Sequence, residues 1–319
     1  MTPPQSKLEH FPVAFFAAVM GTTGLALAWK KAHQVLGLPA EVGSALQWWA
    51  LTLFVLFAFT YLAKLALHWP AIKQEFAHPI RLNFFPAISI SLMLLGTAFA
   101  DTTPYSAGRI WLLGALLHFI FTLVVMSSWI HHTRYDIKHA NPAWFIPVVG
   151  NIVAPIGGMA FAPAEVSWYF FSIGICFWLV LMTIVMNRLF FHEPLPERLM
   201  PTLFILVAPP AVGFIAWVKL HHGQIDDFAR ILFYVALFLT LLLASNTLRF
   251  IRLRFFLSAW AYSFPLAAMT IAALIMAEAS GGIFVALSGV LLAILSLVLT
   301  LLTVRTTLAV VRGEICVPE

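Results

Sequence analysis

Formal charge is scarce in this sequence: Asp, Glu, Lys and Arg make up 10% of the 319 residues, while 62% are hydrophobic. An average soluble domain carries roughly a quarter charged residues, so a water-soluble globule is excluded and lipid is the expected solvent. Cysteine is nearly absent. Cys176 and Cys316 have no spacing that suggests a metal site or a disulfide framework, and both read as free thiols. No Gly-rich run ending in Lys-Ser/Thr follows a strand, so direct drive by ATP has no support. Nor is any segment between the apolar runs long enough to fold in water, which leaves residues 1–319 as a single transmembrane domain.

The apolar runs are what is there. Cutting the sequence at every formal charge leaves stretches at 10–29, 42–63, 82–100, 110–133, 139–164, 166–187, 199–218, 231–248, 255–277 and 279–304. Each suffices to cross the hydrocarbon, which takes about 20 helical residues. Barrel strands would alternate in shorter segments, and lipid offers an unpaired backbone no partners, so the spans are helices. The expected fold is an all-α polytopic membrane protein of ten transmembrane helices. Ala26-Leu27-Ala28 imitates a signal-peptidase site, but the first apolar run is long, Pro12 opens it and Glu9 offsets Lys7. A retained first helix is expected.

Thirteen of the 18 Lys and Arg fall in the tails and in the loops after even-numbered runs, and the other side holds Lys30, Lys31, Arg109, Lys219 and Arg230. The positive-inside rule then places both termini in the cytoplasm, with the protein in a bacterial inner (plasma) membrane. The net charge of +5 is spread over short loops, which suits anchoring to anionic lipid and not nucleic acid. No run contains an Asp, Glu, Lys or Arg. Lys64, Asp101, Glu165 and Glu278 fall at run edges, where snorkelling or loop solvation accounts for them. Lack of an intramembrane carboxylate points toward passive conduction and away from an ion-coupled pump. Of the histidines only His118 lies well inside a run, so facing haem ligands are not in evidence, and no metal or cofactor is expected.

Proline and glycine divide the runs by parity. Pro12, Gly21 and Gly24 mark the first run, Pro86 the third, Pro147, Gly150 and Pro155 the fifth, Pro201, Pro209, Pro210 and Gly213 the seventh, and Pro265 the ninth; the even runs have no interior proline. A proline frees a carbonyl and kinks the helix, which lipid does not tolerate unless neighbours satisfy the freed group. The pattern predicts five hairpins, with odd helices around a central path and even helices as a sleeve. The candidate lining is small and uncharged: Gly21, Thr22, Gly24, Pro86, Ser89, Pro147, Gly150, Asn151, Pro209, Gly213 and Ser263, together with Thr23 and Ser91. Such a weak-field lining suits a partly dehydrated ion, and a positive overall field without an acidic ring favours anions. Hydroxyl linings also serve water and neutral solutes, and membrane Ser or Thr often bonds its own helix backbone.

Several segments carry a resemblance. They are Phe11-Pro12 with Met20-Gly21-Thr22-Thr23-Gly24-Leu25-Ala26 and Ala28-Trp29; His78-Pro79-Ile80-Arg81; Pro142 to Gly150; Ala208-Pro209-Pro210-Ala211-Val212-Gly213; and Trp260-Ala261-Tyr262-Ser263-Phe264-Pro265. In this order the chain resembles the tellurite-resistance and C4-dicarboxylate transporter family, which includes plant slow-type anion channels and bacterial TehA proteins. The resemblance implies five helical hairpins around a central pore, a homotrimer with one pore per subunit, and Phe264 as an aromatic plug at mid-membrane. It implies no enzyme. The function it implies is a gated anion channel or facilitated anion transporter for small anions such as chloride, nitrate or tellurite. A C4-dicarboxylate (malate) carrier is the alternative, and a membrane haem protein or enzyme the rival of another class. Without the resemblance, Phe264 is one of 29 Phe residues. Local physics is compatible, because Pro265 cannot bond the carbonyl of Ala261 and the helix bends there. Tails as short as these imply no control by kinase partners, and the Pro after Phe264 resembles the plant-type stretch.

Overall fold

A computed structural model of the chain describes residues 7–132 and 135–317. Among these residues ten helices are long and apolar enough to cross a bilayer: α1 (Val13–Leu36), α2 (Ala40–Leu67), α3 (Arg81–Ala98), α4 (Pro104–His131), α5 (Pro142–Phe161), α6 (Ala164–Phe191), α7 (Glu197–Leu220), α8 (Asp227–Ala244), α9 (Leu257–Ser280) and α10 (Ile283–Arg312). All ten expected spans are present. Most run a few residues beyond the charge-free stretches, because Lys, Arg and Glu side chains at helix ends carry their charge outward while the helix continues. The expected end of the fourth span, Thr133, lies outside the described residues.

The two parities differ in build. Each even helix is α-helical throughout, and the 28 residues of α2, α4 and α6 extend about 42 Å, past the roughly 30 Å hydrocarbon layer. Every odd helix is broken. 3-10 segments at Val13–Phe15, Arg81–Phe84, Gly150–Val153, Glu197–Val207 and Leu257–Tyr262 each give way to an α-helical stretch. Pro86, Pro155 and Pro209 stand in the first turn of those stretches, where a missing N–H costs no helical hydrogen bond. Side-chain hydroxyls cover carbonyls around the breaks. Ser89 Oγ donates to the Pro86 carbonyl at 2.7 Å, Thr122 Oγ1 to the Pro147 carbonyl at 2.8 Å and Ser263 Oγ to the Trp260 carbonyl at 2.6 Å.

Packing follows parity too. α1 touches α3, α3 touches α5, α5 touches α7, α7 touches α9, and α9 returns to α1, which closes a ring. Between 72% and 83% of each odd span is buried, against 17–33% of each even span. The even helices therefore form an outer sleeve around the ring. Small residues bring sleeve and ring together: a Cβ on Gly114 of α4 would lie 2.7 Å from the Met93 backbone nitrogen, and one on Gly174 of α6 would lie 2.4 Å from Ile152 Cγ1. The α9–α10 hairpin turns on Gly281 and Gly282, whose φ angles of 60° and 57° favour glycine.

One expectation is overturned. Lys64 does not snorkel into solvent: it is 3% exposed and forms an ion pair of 2.7 Å with Glu75, itself 4% exposed. Glu75 sits on a short helix, Trp69–Ala77, that tucks beneath the ring. Its Oε1 accepts the Val13 N–H at 2.7 Å and its Oε2 accepts the Tyr61 hydroxyl at 3.1 Å, while Lys64 Nζ donates also to the Phe11 carbonyl at 2.9 Å. Satisfied in this way, two opposite charges persist without water. They fasten the first turn of α1, whose N–H groups have no helical partners, to the α2 hairpin.

Candidate functional site

Two cavities lie inside the ring and share two wall residues. The first, on the face where the odd helices begin, has a volume of about 80 Å³ and is walled by the early turns of all five odd helices, including Ala17, Ala87, Val149, Ile205 and Ala261. The second opens on the opposite face, has a volume of about 760 Å³, and is walled by the later turns of the same helices and the loops beyond them. No residue of an even helix lines either cavity. The small cavity has room for two or three waters at about 30 Å³ each, but its walls are almost wholly apolar and offer them few partners. A constriction of this kind excludes water and ions together.

Phe264 and Val212 line both cavities. Phe264 stands where the 3-10 turns of α9 have just become α-helical, one residue ahead of Pro265, which lines the small cavity. Beside it, Gly24 of α1 leaves its backbone bare towards the ring. Val212 belongs to α7, is 3% exposed, and was not singled out in the sequence because an isolated valine in an apolar run carries no signal.

Of the other candidate lining residues, Gly24 borders the large cavity, and Gly150 and Pro209 the small one. Gly21, Thr22, Pro86, Ser89, Pro147, Asn151, Gly213 and Ser263 lie off both walls. Their chemistry is used in packing. Thr22 and Thr23 hydroxyls donate at 2.8 Å to the Ala18 and Val19 carbonyls, and Ser91 Oγ donates to the Ala87 carbonyl at 2.7 Å. Gly21 receives Ser263 of α9, while Gly213 faces Leu232 and Ile175 of the sleeve. The wall of the small cavity is alkyl and aromatic surface apart from Ser258, where the sequence suggested hydroxyls.

A polar node lies just behind that wall. His118 of α4 is fully buried and its Nδ1 is 2.9 Å from Ser89 Oγ. Because Ser89 gives its one proton to the Pro86 carbonyl, it accepts from His118, which fixes the ring proton on Nδ1. Nε2 then faces Gly150 and has no partner among the described residues. Asn151 Nδ2 donates to Thr122 Oγ1 at 2.9 Å and to the Val148 carbonyl at 2.7 Å.

The large cavity is the polar end of the path. Lys30, Lys31, Lys219 and His222 border it, with Asp101 and Glu278 as its acidic members. Lys31 pairs with Glu278 at 2.6 Å, and Lys30 Nζ donates to the Ala98 carbonyl at 2.5 Å.

Ten helices long and apolar enough to span a bilayer, five of them ringed around two internal cavities, suit a membrane transport protein of the channel or transporter class. Residues 10–308 match the model of one family, described as voltage-dependent anion channel, and the chain belongs to that family. It is 31% identical over 284 residues to the S-type anion channel SLAH2 of Arabidopsis thaliana, an alignment covering 86% of this chain and 54% of the relative. To the guard cell S-type anion channel SLAC1 of the same plant it is 29% identical over 285 residues, with 86% and 51% covered. The tellurite resistance protein TehA homolog of Haemophilus influenzae is 24% identical over 274 residues, with 83% and 80% covered. The chain thus spans about half the length of these two plant relatives. Its relatives are anion channels and transporters, and it is not an enzyme.

Proposed function

We propose that the chain is a gated anion channel in which the Phe264 ring, backed by Val212 and carried where the 3-10 turns of α9 become α-helical beside Pro265, closes the path between the two cavities. The observation that carries this reading is the double position of Phe264, on the wall of the small apolar cavity and on that of the wide one. Moving one ring by a rotamer step or a change of bend joins the two volumes, so a small displacement has a large effect on conduction.

The cargo is a small anion, of which chloride, nitrate and tellurite are candidates. Selection rests on the cost of shedding water at an apolar constriction, since no fixed cation lines the small cavity. Relatives named for S-type anion channels and for tellurite resistance support this class. The protein sits in a bacterial inner membrane with both termini in the cytoplasm, so the small cavity faces inward and the lysine-bearing one outward. A homotrimer with one path per subunit completes the proposal.

A planar bilayer under a chloride gradient tests it. The expected reversal potential lies near the chloride equilibrium value, and current rises with chloride without saturating at low concentration. Saturable malate exchange with no ionic current would replace the channel with the C4-dicarboxylate carrier.

A further inference from the structure

The positive-inside pattern leaves five basic residues near the outward ends of the spans, Lys30, Lys31, Arg109, Lys219 and Arg230. Three of them converge on the mouth of one cavity, joined by His222. Inner-leaflet anchoring cannot explain charges on this side. Lys31 is neutralised by Glu278 at 2.6 Å. Lys30 spends one N–H on the Ala98 carbonyl at 2.5 Å, which pins its ammonium at the wall. Lys219 is exposed, and its side-chain ammonium has no hydrogen-bond or ion-pair partner among the described residues. Asp101, the remaining acid at the rim, exerts a Coulombic pull on Lys30, so three lysines face two acids there.

This vestibule is wide and wet. Its volume of about 760 Å³ holds on the order of 25 waters, enough to keep an anion hydrated. At its floor stands the constriction of Phe264 and Val212, and beyond that an apolar space of about 80 Å³. Attraction to the lysines grows in proportion to an anion's charge, whereas the Born cost of dehydration grows as the square of that charge. A dianion is therefore drawn into the vestibule more strongly than chloride and held back more strongly at its floor.

We infer that the Lys30–Lys219 vestibule is a binding site for hydrated divalent anions, of the sulfate or dicarboxylate class, which occupy it without passing and obstruct monovalent flow from that face alone. The inference rests on the anion-channel reading and adds a ligand and a side to it.

The test uses the full chain in bilayers, with orientation assigned by protease access to an N-terminal tag, and chloride current carried by Phe264→Ala. Millimolar sulfate on the Lys219 face is expected to lower chloride current severalfold, and more so at voltages that drive anions inward. The same sulfate on the N-terminal face should have no effect. Lys219→Gln and Lys30→Gln, placed singly in this background, should each raise the half-blocking concentration about threefold, an effect that 1 M salt removes. Block from both faces, sulfate current through the wild type, or block unchanged in both variants would overturn the inference. Calorimetric titration of sulfate into the purified wild type reads the site even where no current flows: binding weakened by Lys219→Gln supports it and absence of binding contradicts it. Failure of chloride current in every variant strikes instead at the channel reading.

Discussion

Gly24 on α1 and Phe264 on α9 lie side by side where these two helices close the ring: a Cβ at position 24 would lie 3.5 Å from Phe264 Cδ2 and 2.7 Å from the Ala267 Cβ. The aromatic ring thus stands beside bare backbone, and one turn earlier Gly21 seats Ser263. Two small residues on one helix set how near the other can come.

Gly21→Ala is expected to force the two helices apart. Its new methyl would meet Ser263 Oγ at 2.0 Å and Ser263 Cβ at 2.4 Å, an overpacking that costs about 1–3 kcal/mol. Gly289→Ala on α10, where nothing lies within 4 Å, serves as the control. Thermal unfolding in detergent should show a lowered midpoint for the first and no loss for the second.

Breaking the Lys64–Glu75 pair should be costly from either side. Lys64→Met strands a buried carboxylate and Glu75→Gln a buried ammonium, each expected to destabilise by about 3–5 kcal/mol. The double variant should recover part of that loss, because neither charge is then left alone. Additive losses in a double-mutant cycle would show that the two groups act independently.

Val212 shares both cavity walls with Phe264. Val212→Trp should lower anion current in the Phe264→Ala background by filling the space the lost ring vacates. Val212→Ala alone should raise wild-type current modestly. Bilayer recording of the three proteins separates an effect on the path from one on assembly, provided surface amounts are matched.

Asp226 caps α8. Its Oδ1 accepts from the Ala229 N–H and from Trp217 Nε1, each at 2.9 Å. The backbone bond from Ala229, with help from Trp217, holds this carboxyl below the usual carboxylate range. A depressed folded-state pKa stabilises the protein above the unfolded value of about 3.9, and the contribution fades as pH falls through the folded-state pKa. Asp226→Ala should cost about 1 kcal/mol at neutral pH. Asp226→Asn keeps a capping oxygen and should flatten the acid limb of a stability profile measured from pH 6 to pH 2.

The fold was legible because charge is expensive in lipid and its absence therefore marks each span. The ring and sleeve were legible because proline, which lipid-facing helices avoid, falls on alternate spans. The Lys64–Glu75 clamp was not: Glu75 reads as a loop residue, and only the fold of the short helix brings it back under α1. The fate of Ser89, Ser91 and Ser263 was hidden for a similar reason, since a hydroxyl in a span looks alike whether it faces a path or bonds a carbonyl. Phe264 entered through family resemblance, as periodicity cannot distinguish it among 29 phenylalanines. Val212 and the gathering of three lysines at one mouth needed the fold.

The central claim is that an aromatic ring stoppers the path between the two cavities. Replacing Phe264 with Ala and recording chloride current in a planar bilayer, at matched amounts of protein with wild-type thermal stability, tests it most directly. The account predicts a current at least tenfold above wild type, with the reversal potential still near chloride equilibrium. An equal current in the two proteins would contradict it.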